Sequence, residues 1–203
     1  MTTPLEQLRE ATYQDVIDAP ERMTAEILDG ELHLTPRPRR RHGKVNRRLY
    51  GALIGFDDPN DGDDQGGWVI ELEPELLLPR VRDNRKEPVV PDLAGWRAER
   101  LPESDPDTWQ IEVPPDWVCE ILSPSTRRAD RVLKMPLYAH NGVTHVWLVD
   151  PTGHTLEAFV LEEGRWVLLG TWSDDDKARV APFDAVELDL SRLWFAEPPP
   201  TGP

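Results

Sequence analysis

The sequence contains one cysteine, Cys119, among 203 residues. A single cysteine forms no disulfide within the chain and cannot supply a cysteine-rich zinc site. No apolar run approaches the length that crosses a membrane, and the first ten residues carry charges where a signal peptide requires an apolar segment. The sequence therefore predicts a cytoplasmic protein, without a membrane span, whose stability comes from packing.

Basic residues are scarce: 23 Lys and Arg stand against 38 Asp and Glu, and the formal net charge is −15. This balance argues against a general nucleic-acid-binding surface, because phosphate neutralisation requires an excess of Lys and Arg at the contact. Seven basic residues between positions 37 and 48 nevertheless carry +7, which leaves −22 on the rest of the chain. The segment is either a solvated helix face or a surface that follows phosphates. In the second interpretation the nucleic-acid-binding residues are Arg39, Arg40, Arg41, His42 and Lys44.

Length and composition predict one domain. The chain has 38% hydrophobic and 30% charged residues, and its length is sufficient for one substantial core. Its 21 prolines indicate many connections between elements. We expect a single domain over residues 1–197 and a proline-rich tail over residues 198–203.

The first half of the sequence predicts a hairpin, a helix and several strands. Polar and apolar residues alternate over residues 25–34 around Asp29-Gly30, a dipeptide that suits a tight hairpin turn. Apolar residues then recur at helical spacing over residues 42–54. Three strand-like runs follow, at residues 68–73, 75–78 and 89–96, and we expect them to form an antiparallel meander.

The second half predicts a parallel crossover followed by a hairpin. Residues 117–122 form an apolar run interrupted only by Glu120, as in a buried strand. Ser123-Pro124-Ser125-Thr126 has the chemistry of a helix start, and Asn141-Gly142 can end that helix before a second buried strand at residues 144–149. A C-terminal antiparallel hairpin is expected over residues 155–171. The predicted fold is therefore α/β with mixed strands.

Asp92 and Glu120 are the candidate metal ligands. Pro91 suits a strand start or bulge, which is a place where regular pairing gives way to a site. Strand alternation puts Glu120 on one face with Val118 and Leu122, and a buried Glu requires a cation or a basic partner. Carboxylates are hard ligands suited to Mg²⁺, and Lys134 on the following helix would supply a positive charge.

Other interpretations of these residues stay open. Glu120 could pair with Arg127, Arg128 or Lys134, Asp92 could cap a turn, and Lys134 could be an exposed lysine that pairs with Asp130. Glu26 and Glu31 are supplementary acidic candidates from the hairpin. His42 is either a phosphate contact or a polar residue at a helix start, and Tyr138 is a packing aromatic or a phosphate donor.

These residues resemble the Uma-two (Uma2) family of restriction-endonuclease-like proteins, in the PD-(D/E)xK nuclease superfamily. The resemblance covers residues 13–151. It is carried by Asp29-Gly30-Glu31-Leu32, His42, Pro91-Asp92, Glu120-Ile121-Leu122-Ser123-Pro124-Ser125-Thr126, Asp130, Lys134, Tyr138, Gly142 and Trp147-Leu148-Val149-Asp150.

The resemblance implies a restriction-endonuclease-like core, a mixed four-stranded sheet flanked by helices, that binds Mg²⁺ or Mn²⁺. It implies that Asp92 and Glu120 bind the metal together with the carbonyl of Ile121, and it suggests a homodimer. The superfamily pattern has Lys two residues after the second acid, where this chain has Leu122. The family resemblance suggests that Lys134 replaces it, so the implied catalytic residues are Asp92, Glu120 and Lys134.

The expected function is Mg²⁺-dependent hydrolysis of DNA phosphodiester bonds. Two other functions remain open from the sequence. One is a catalytically inactive binding or interaction protein that retains the nuclease fold. The other is a metal-dependent hydrolase of a small phosphorylated molecule, for which the acidic composition is less of an obstacle.

Overall fold

A computed structural model describes residues 9–57, 66–101 and 109–195 of the chain. The helices are α1 (Tyr13–Ile17), α2 (Arg40–Leu53), α3 (Arg127–Ala129), a π-helical turn (Asp130–Lys134), α4 (Met135–His140) and a 3₁₀ turn (Leu190–Arg192). The strands are β1 (Met23–Leu28), β2 (Glu31–Pro36), β3 (Trp68–Leu72), β4 (Glu75–Pro79), β5 (Lys86–Val89), β6 (Leu93–Arg97), β7 (Gln110–Ile111), β8 (Trp117–Ile121), β9 (His145–Asp150), β10 (Thr155–Glu162), β11 (Arg165–Ser173), β12 (Lys177–Ala178) and β13 (Leu188–Asp189).

The main sheet has six strands in the order β11-β10-β9-β8-β6-β3. Its central strands β3, β6, β8 and β9 form the mixed four-stranded core expected from the sequence, with β8 and β9 as the parallel pair. The sheet has six strands and not four because the C-terminal hairpin pairs directly with β9. Asp150 accepts hydrogen bonds from the backbone of Thr152 and Gly153, and this turn returns the chain antiparallel to β9.

The predicted meander of β3, β4 and the next run is wrong. β3 pairs with β6 in the main sheet, whereas β4 pairs with β5 and β7 in a separate small sheet. The chain leaves the main sheet at Glu73, whose φ is +50°. It returns through Val90, Pro91 and Asp92, between β5 and β6. Pro91 has no N–H to donate to a ladder, so the run breaks there and Asp92 lies immediately before β6.

The core forms two layers on the two faces of the main sheet. One layer packs α2, through Val45, Leu49 and Leu53, with the C-terminal segment that carries Phe183. The other packs α4 and the small sheet against the opposite face. Cys119 and Ile121 face the first layer, and Val118 and Leu122 face the second. Strand alternation therefore directs Glu120 towards the second layer, as the sequence predicted.

The crossover from β8 to β9 is helical, with a π turn in its middle. α3, the π turn and α4 follow one another without a break over residues 127–140. Pro136 lies just after the π turn, where its missing N–H removes one regular helical hydrogen bond. The π turn begins and ends with Asp130 and Lys134, and both are buried.

The single domain predicted over residues 1–197 stays a prediction. The proline-rich tail at residues 198–203 lies outside the described residues. Within the described ranges, none of the helices combines the length and apolar composition needed to cross a bilayer.

Candidate functional site

A pocket of about 620 Å³ opens where β6 begins and β8 ends. Its walls come from the β1–β2 hairpin, the start of α2, the segment 90–92, the segment 120–126 and the π turn. Acidic side chains from four of these segments reach the same pocket, since they include Glu26, Asp92, Glu120 and Asp130. The pocket therefore collects residues that are distant in the sequence.

Asp92 is tied to the end of β8. Because Leu93 pairs with Cys119, the antiparallel register brings Asp92 beside Glu120. Asp92 Oδ2 accepts a hydrogen bond of 2.6 Å from the backbone N–H of Ile121. Its other oxygen, Oδ1, lies 3.0 Å from His42 Nε2, at the start of α2. The carboxylate is thus held from two sides, and it is the only one of the four that is appreciably exposed.

Glu120 is 2% exposed. Its Oε1 atom accepts a 2.5 Å hydrogen bond from the hydroxyl of Tyr138 and lies 3.3 Å from Lys134 Nζ. Neither Arg127 nor Arg128, two alternatives considered from the sequence, forms an ion pair with it among the described residues. Arg127 instead pairs with Asp150 at 2.7 Å.

Lys134 connects the acidic residues. Its Nζ atom lies 2.7 Å from Glu26 Oε1 and 3.8 Å from Asp130 Oδ1, and it donates a 3.1 Å hydrogen bond to the carbonyl of Val90. Glu26 Oε1 also accepts a 2.8 Å hydrogen bond from the Val90 N–H. Lys134 is 4% exposed, so it is a buried ammonium and not the exposed helix lysine considered as an alternative.

The electrostatics of the pocket reflect burial and an excess of negative charge. Burial raises the pKa of Glu120 well above its usual range; Lys134 opposes this shift, while Asp130, Asp92 and Glu26 increase it. Burial alone lowers the pKa of Lys134, but Glu120, Glu26 and Asp130 outweigh it and raise that pKa, so the ammonium stays charged. One lysine thus stands among four carboxyl groups.

His42 follows the same balance. Burial lowers its pKa, but the hydrogen bond and charge of Asp92, with smaller contributions from Glu73 and Asp130, raise it by more. Its other ring nitrogen, Nδ1, is buried without a hydrogen-bond partner among the described residues. The imidazole therefore contacts the pocket through Nε2.

The predicted basic residues are only partly brought to this pocket. Arg39, Arg41 and His42 line it, and so does Arg37. Lys44 is elsewhere: it donates to the carbonyl of Trp194 and lies 4.5 Å from the ring centroid of Phe195. Arg40 is exposed and does not line the pocket. Glu31, exposed beside the hairpin turn, is also absent from it.

Sequence reasoning missed two acidic residues of the pocket. Asp130 was considered only as a partner of Lys134, although it is itself 2% exposed and lines the wall. Glu73 was not considered; it reaches the pocket because its positive φ turns the chain away from β3. The helical spacing of Asp130 and Lys134 was a usable signal for the first. The position of Glu73 depends on a non-glycine residue with positive φ, which composition does not predict.

The fold is similar to the crystal structure of a putative nuclease belonging to DUF820 from Anabaena variabilis. The TM-score is 0.67 and the identity 20%, over 90% of this chain and 97% of that chain. At this identity the likeness shows a shared fold. None of the curated proteins matches the sequence.

The sequence model of Uma2, described as "Putative restriction endonuclease", matches residues 10–191. This range includes every residue of the pocket. The chain therefore belongs to the Uma2 family.

Proposed function

We propose that the pocket is a divalent-metal-dependent nuclease site that hydrolyses phosphodiester bonds of DNA. The observation that carries the proposal is the convergence of Glu26, Asp92, Glu120 and Asp130 around one buried lysine. Burying several carboxylates with too few positive charges is costly, and a cation relieves that cost. The family to which the chain belongs supports the same reaction class.

The donor chemistry fits Mg²⁺ or Mn²⁺. Asp92 and Glu120 offer hard carboxylate oxygens, and the carbonyl of Ile121 would complete the protein ligands. Within the described residues, no group of three His, Cys, Asp or Glu side chains has the arrangement of a metal-ligand set. Two carboxylates and one carbonyl suit an ion that retains several waters, as Mg²⁺ usually does. When bound, the ion would polarise the phosphoryl group and lower the pKa of a water.

The residues around the acids would position the substrate and balance charge. Lys134 stays protonated, so its ammonium would stabilise the negative charge that develops on the phosphoryl oxygens. Tyr138 orients Glu120 through its hydroxyl, and His42 holds Asp92 from the other side. Arg37, Arg39 and Arg41, at the exposed wall of the pocket, would bind the DNA backbone.

One observation favours a second candidate, a nuclease-fold binding protein without catalysis. Glu120 already has a hydroxyl donor and an ammonium partner, so its charge is partly compensated without any ion. A third candidate, a hydrolase of small phosphorylated molecules, is favoured by a pocket volume in the range of small-ligand sites. Metal binding separates the second candidate from the proposal, and substrate size separates the third.

The test uses circular single-stranded DNA and supercoiled plasmid with Mg²⁺ or Mn²⁺. Wild type should cut DNA, and Asp92→Asn and Glu120→Gln should each reduce the rate by about 100-fold or more. Titration calorimetry should show Mn²⁺ binding to wild type and its loss in Asp92→Asn. Equal activity in all three proteins would overturn the proposal, and so would the absence of Mn²⁺ binding by wild type.

A homodimer and a cytoplasmic location stay predictions. A two-fold dimer would suit cleavage of both strands. Light scattering of the purified chain at several concentrations measures its molar mass directly.

A further inference from the structure

We propose that the site acts on an unpaired DNA strand, which it holds by the sugar-phosphate backbone without preference for base sequence. This inference rests on the proposed nuclease function and specifies its substrate. It follows from the size of the pocket, the depth of its acidic residues, the chemistry of its walls and the distribution of charge.

The pocket is too small for a double helix. A volume of 620 Å³ corresponds to a cube with an edge of about 8.5 Å. The major groove of B-DNA is by itself about 12 Å wide, so the whole duplex is much wider than the pocket. An unpaired strand presents one backbone and can enter a space of this size.

The acidic residues lie at the bottom of this pocket. Glu120 and Asp130 are each 2% exposed, and Glu26 is 5% exposed. A phosphate must therefore come down to the level of Asp92 to meet the proposed ligands. The β1–β2 hairpin and the start of α2 stand on one side, and the segment 123–126 stands on the other. A paired strand carries its complement against these walls, whereas an unpaired strand bends between them.

The walls are suited to backbone and sugar contacts. Hydroxyl groups line them, and two of these, Ser123 and Thr126, are themselves joined at 3.0 Å. The described lining contains no Phe, Tyr or Trp to stack on bases, and no Asn or Gln to read base edges. Hydroxyls contact phosphate and sugar and carry no sequence information directly. The hydroxyl residues of the lining are Thr24, Thr35, Ser123, Ser125, Thr126 and Thr152.

Charge also favours a short unpaired segment. Arg37, Arg39 and Arg41 form no ion pair within residues 9–57, 66–101 and 109–195, so their charges are available to an anion at the wall. Outside the segment 37–48 the chain carries −22. A duplex brings one negative charge per about 1.7 Å of its axis, so its flanks would meet a repelling surface.

The first experiment measures binding, so that it decides the inference even if nothing is cut. Labelled dT₃₀, a mixed-sequence 30-mer and the blunt duplex of that 30-mer are titrated with wild type in EDTA and in Ca²⁺, by fluorescence anisotropy. Both single strands should bind with similar affinity, about tenfold or more tighter than the duplex. A duplex that binds as tightly as its single strand would overturn the proposal, and a strong preference between the two single strands would overturn its sequence-independent part.

A pair of double variants tests where the strand lies. Arg37→Gln with Arg39→Gln should weaken single-strand binding and reduce the slope of log affinity against log salt by about 1.4. The matched control is Arg47→Gln with Arg48→Gln, two exposed residues of α2 that do not line the pocket. An equal effect of the two double variants would overturn the proposed location.

The cleavage arm separates this inference from the proposed function. With Mg²⁺ or Mn²⁺, a duplex with a single-stranded flap should be cut in the flap, and the blunt duplex should be cut about tenfold more slowly or not at all. Equal cleavage of both would overturn the inference and leave the nuclease function standing. Tight binding of single strands without any cleavage would refute the nuclease function and retain the strand preference.

Discussion

Lys134 Nζ lies 2.7 Å from Glu26 Oε1, although one residue belongs to the crossover helix and the other to the N-terminal hairpin. Both side chains are buried, and the backbone of Val90 is hydrogen-bonded to both. This ion pair joins three segments at the pocket: the hairpin, the connection before Asp92 and the π turn. Its loss should therefore affect stability as well as the site.

Lys134→Met should reduce the free energy of unfolding by about 3–5 kcal/mol in EDTA at pH 8, because it leaves Glu26 and Glu120 buried without their cation. Urea denaturation measures the change. The matched control is Lys86→Met, which removes an exposed lysine paired with Glu112 and should cost less than about 1 kcal/mol. Similar losses in the two variants would contradict the role given to Lys134.

Asp130→Asn should stabilise the metal-free protein in a pH-dependent way. Burial raises the pKa of Asp130 to about 6, against the opposing effects of Lys134 and of the Thr126 hydrogen bond. The ordinary value is 3.8, so the folded state binds this proton more tightly than the unfolded state. Stability therefore falls as the pH rises from about 4 to about 6 and stays lower above it.

Removing that ionisation should increase the free energy of unfolding by about 2–3 kcal/mol at pH 8 and by almost nothing at pH 4. Urea titrations in EDTA at pH 4, 5, 6, 7 and 8 give the curve. Asp189→Asn is the contrasting variant: a hydrogen bond from Ser191 lowers the pKa of Asp189, so its replacement should bring no gain at high pH. A pH-independent effect of Asp130→Asn would refute the assignment.

Arg80→Met should be strongly destabilising. Arg80 is buried and bonds Asp83 at 2.5 Å, Glu87 at 2.9 Å and Glu10 at 3.2 Å. Met keeps much of the length but leaves Glu87 buried without a partner, at a cost of about 3–5 kcal/mol. Arg82→Met is the exposed control beside it and should cost less than about 1 kcal/mol. Thermal and urea unfolding of both variants give the comparison, and equal losses would contradict it.

Phe183→Ala should show that the C-terminal segment belongs to the core. The Phe183 ring is fully buried, with its centroid 4.8 Å from Trp68 and 4.9 Å from both Phe56 and Trp117. Truncation of such a ring costs about 3–5 kcal/mol. Tryptophan fluorescence during urea unfolding measures it, with the half-exposed Phe195→Ala as the control. A loss below about 1 kcal/mol would mean that this segment packs elsewhere.

Local pattern was sufficient for several parts of this fold. Asp29-Gly30 predicted the hairpin turn, and both residues have positive φ. Strand alternation predicted that Glu120 faces away from Cys119, and the core layers on the two sides of β8 agree with this. The crossover between β8 and β9 was predicted from helix-start and helix-end residues, because these signals act within a few positions. The family resemblance implied the four-stranded core.

Long-range packing decided what the sequence did not predict. β3 and β4 follow one another closely, yet they belong to different sheets, because strand partners are chosen by burial and not by proximity in the chain. Glu26 reaches Lys134 only because the hairpin packs against the small sheet. Lys44 has helical spacing suitable for a basic face, but it lies against the C-terminal segment. Such placements depend on tertiary contacts that periodicity does not encode.

The break between the two sheets at Val90-Pro91-Asp92 has a consequence for how the protein becomes competent. Asp92 and Glu120 are neighbours only after β6 has paired with β8, and Glu26 joins them only after the hairpin has docked. A nascent or half-folded chain therefore keeps its acids apart and has no centre with which to attack DNA. Completion of the tertiary structure and arming of the site are one event.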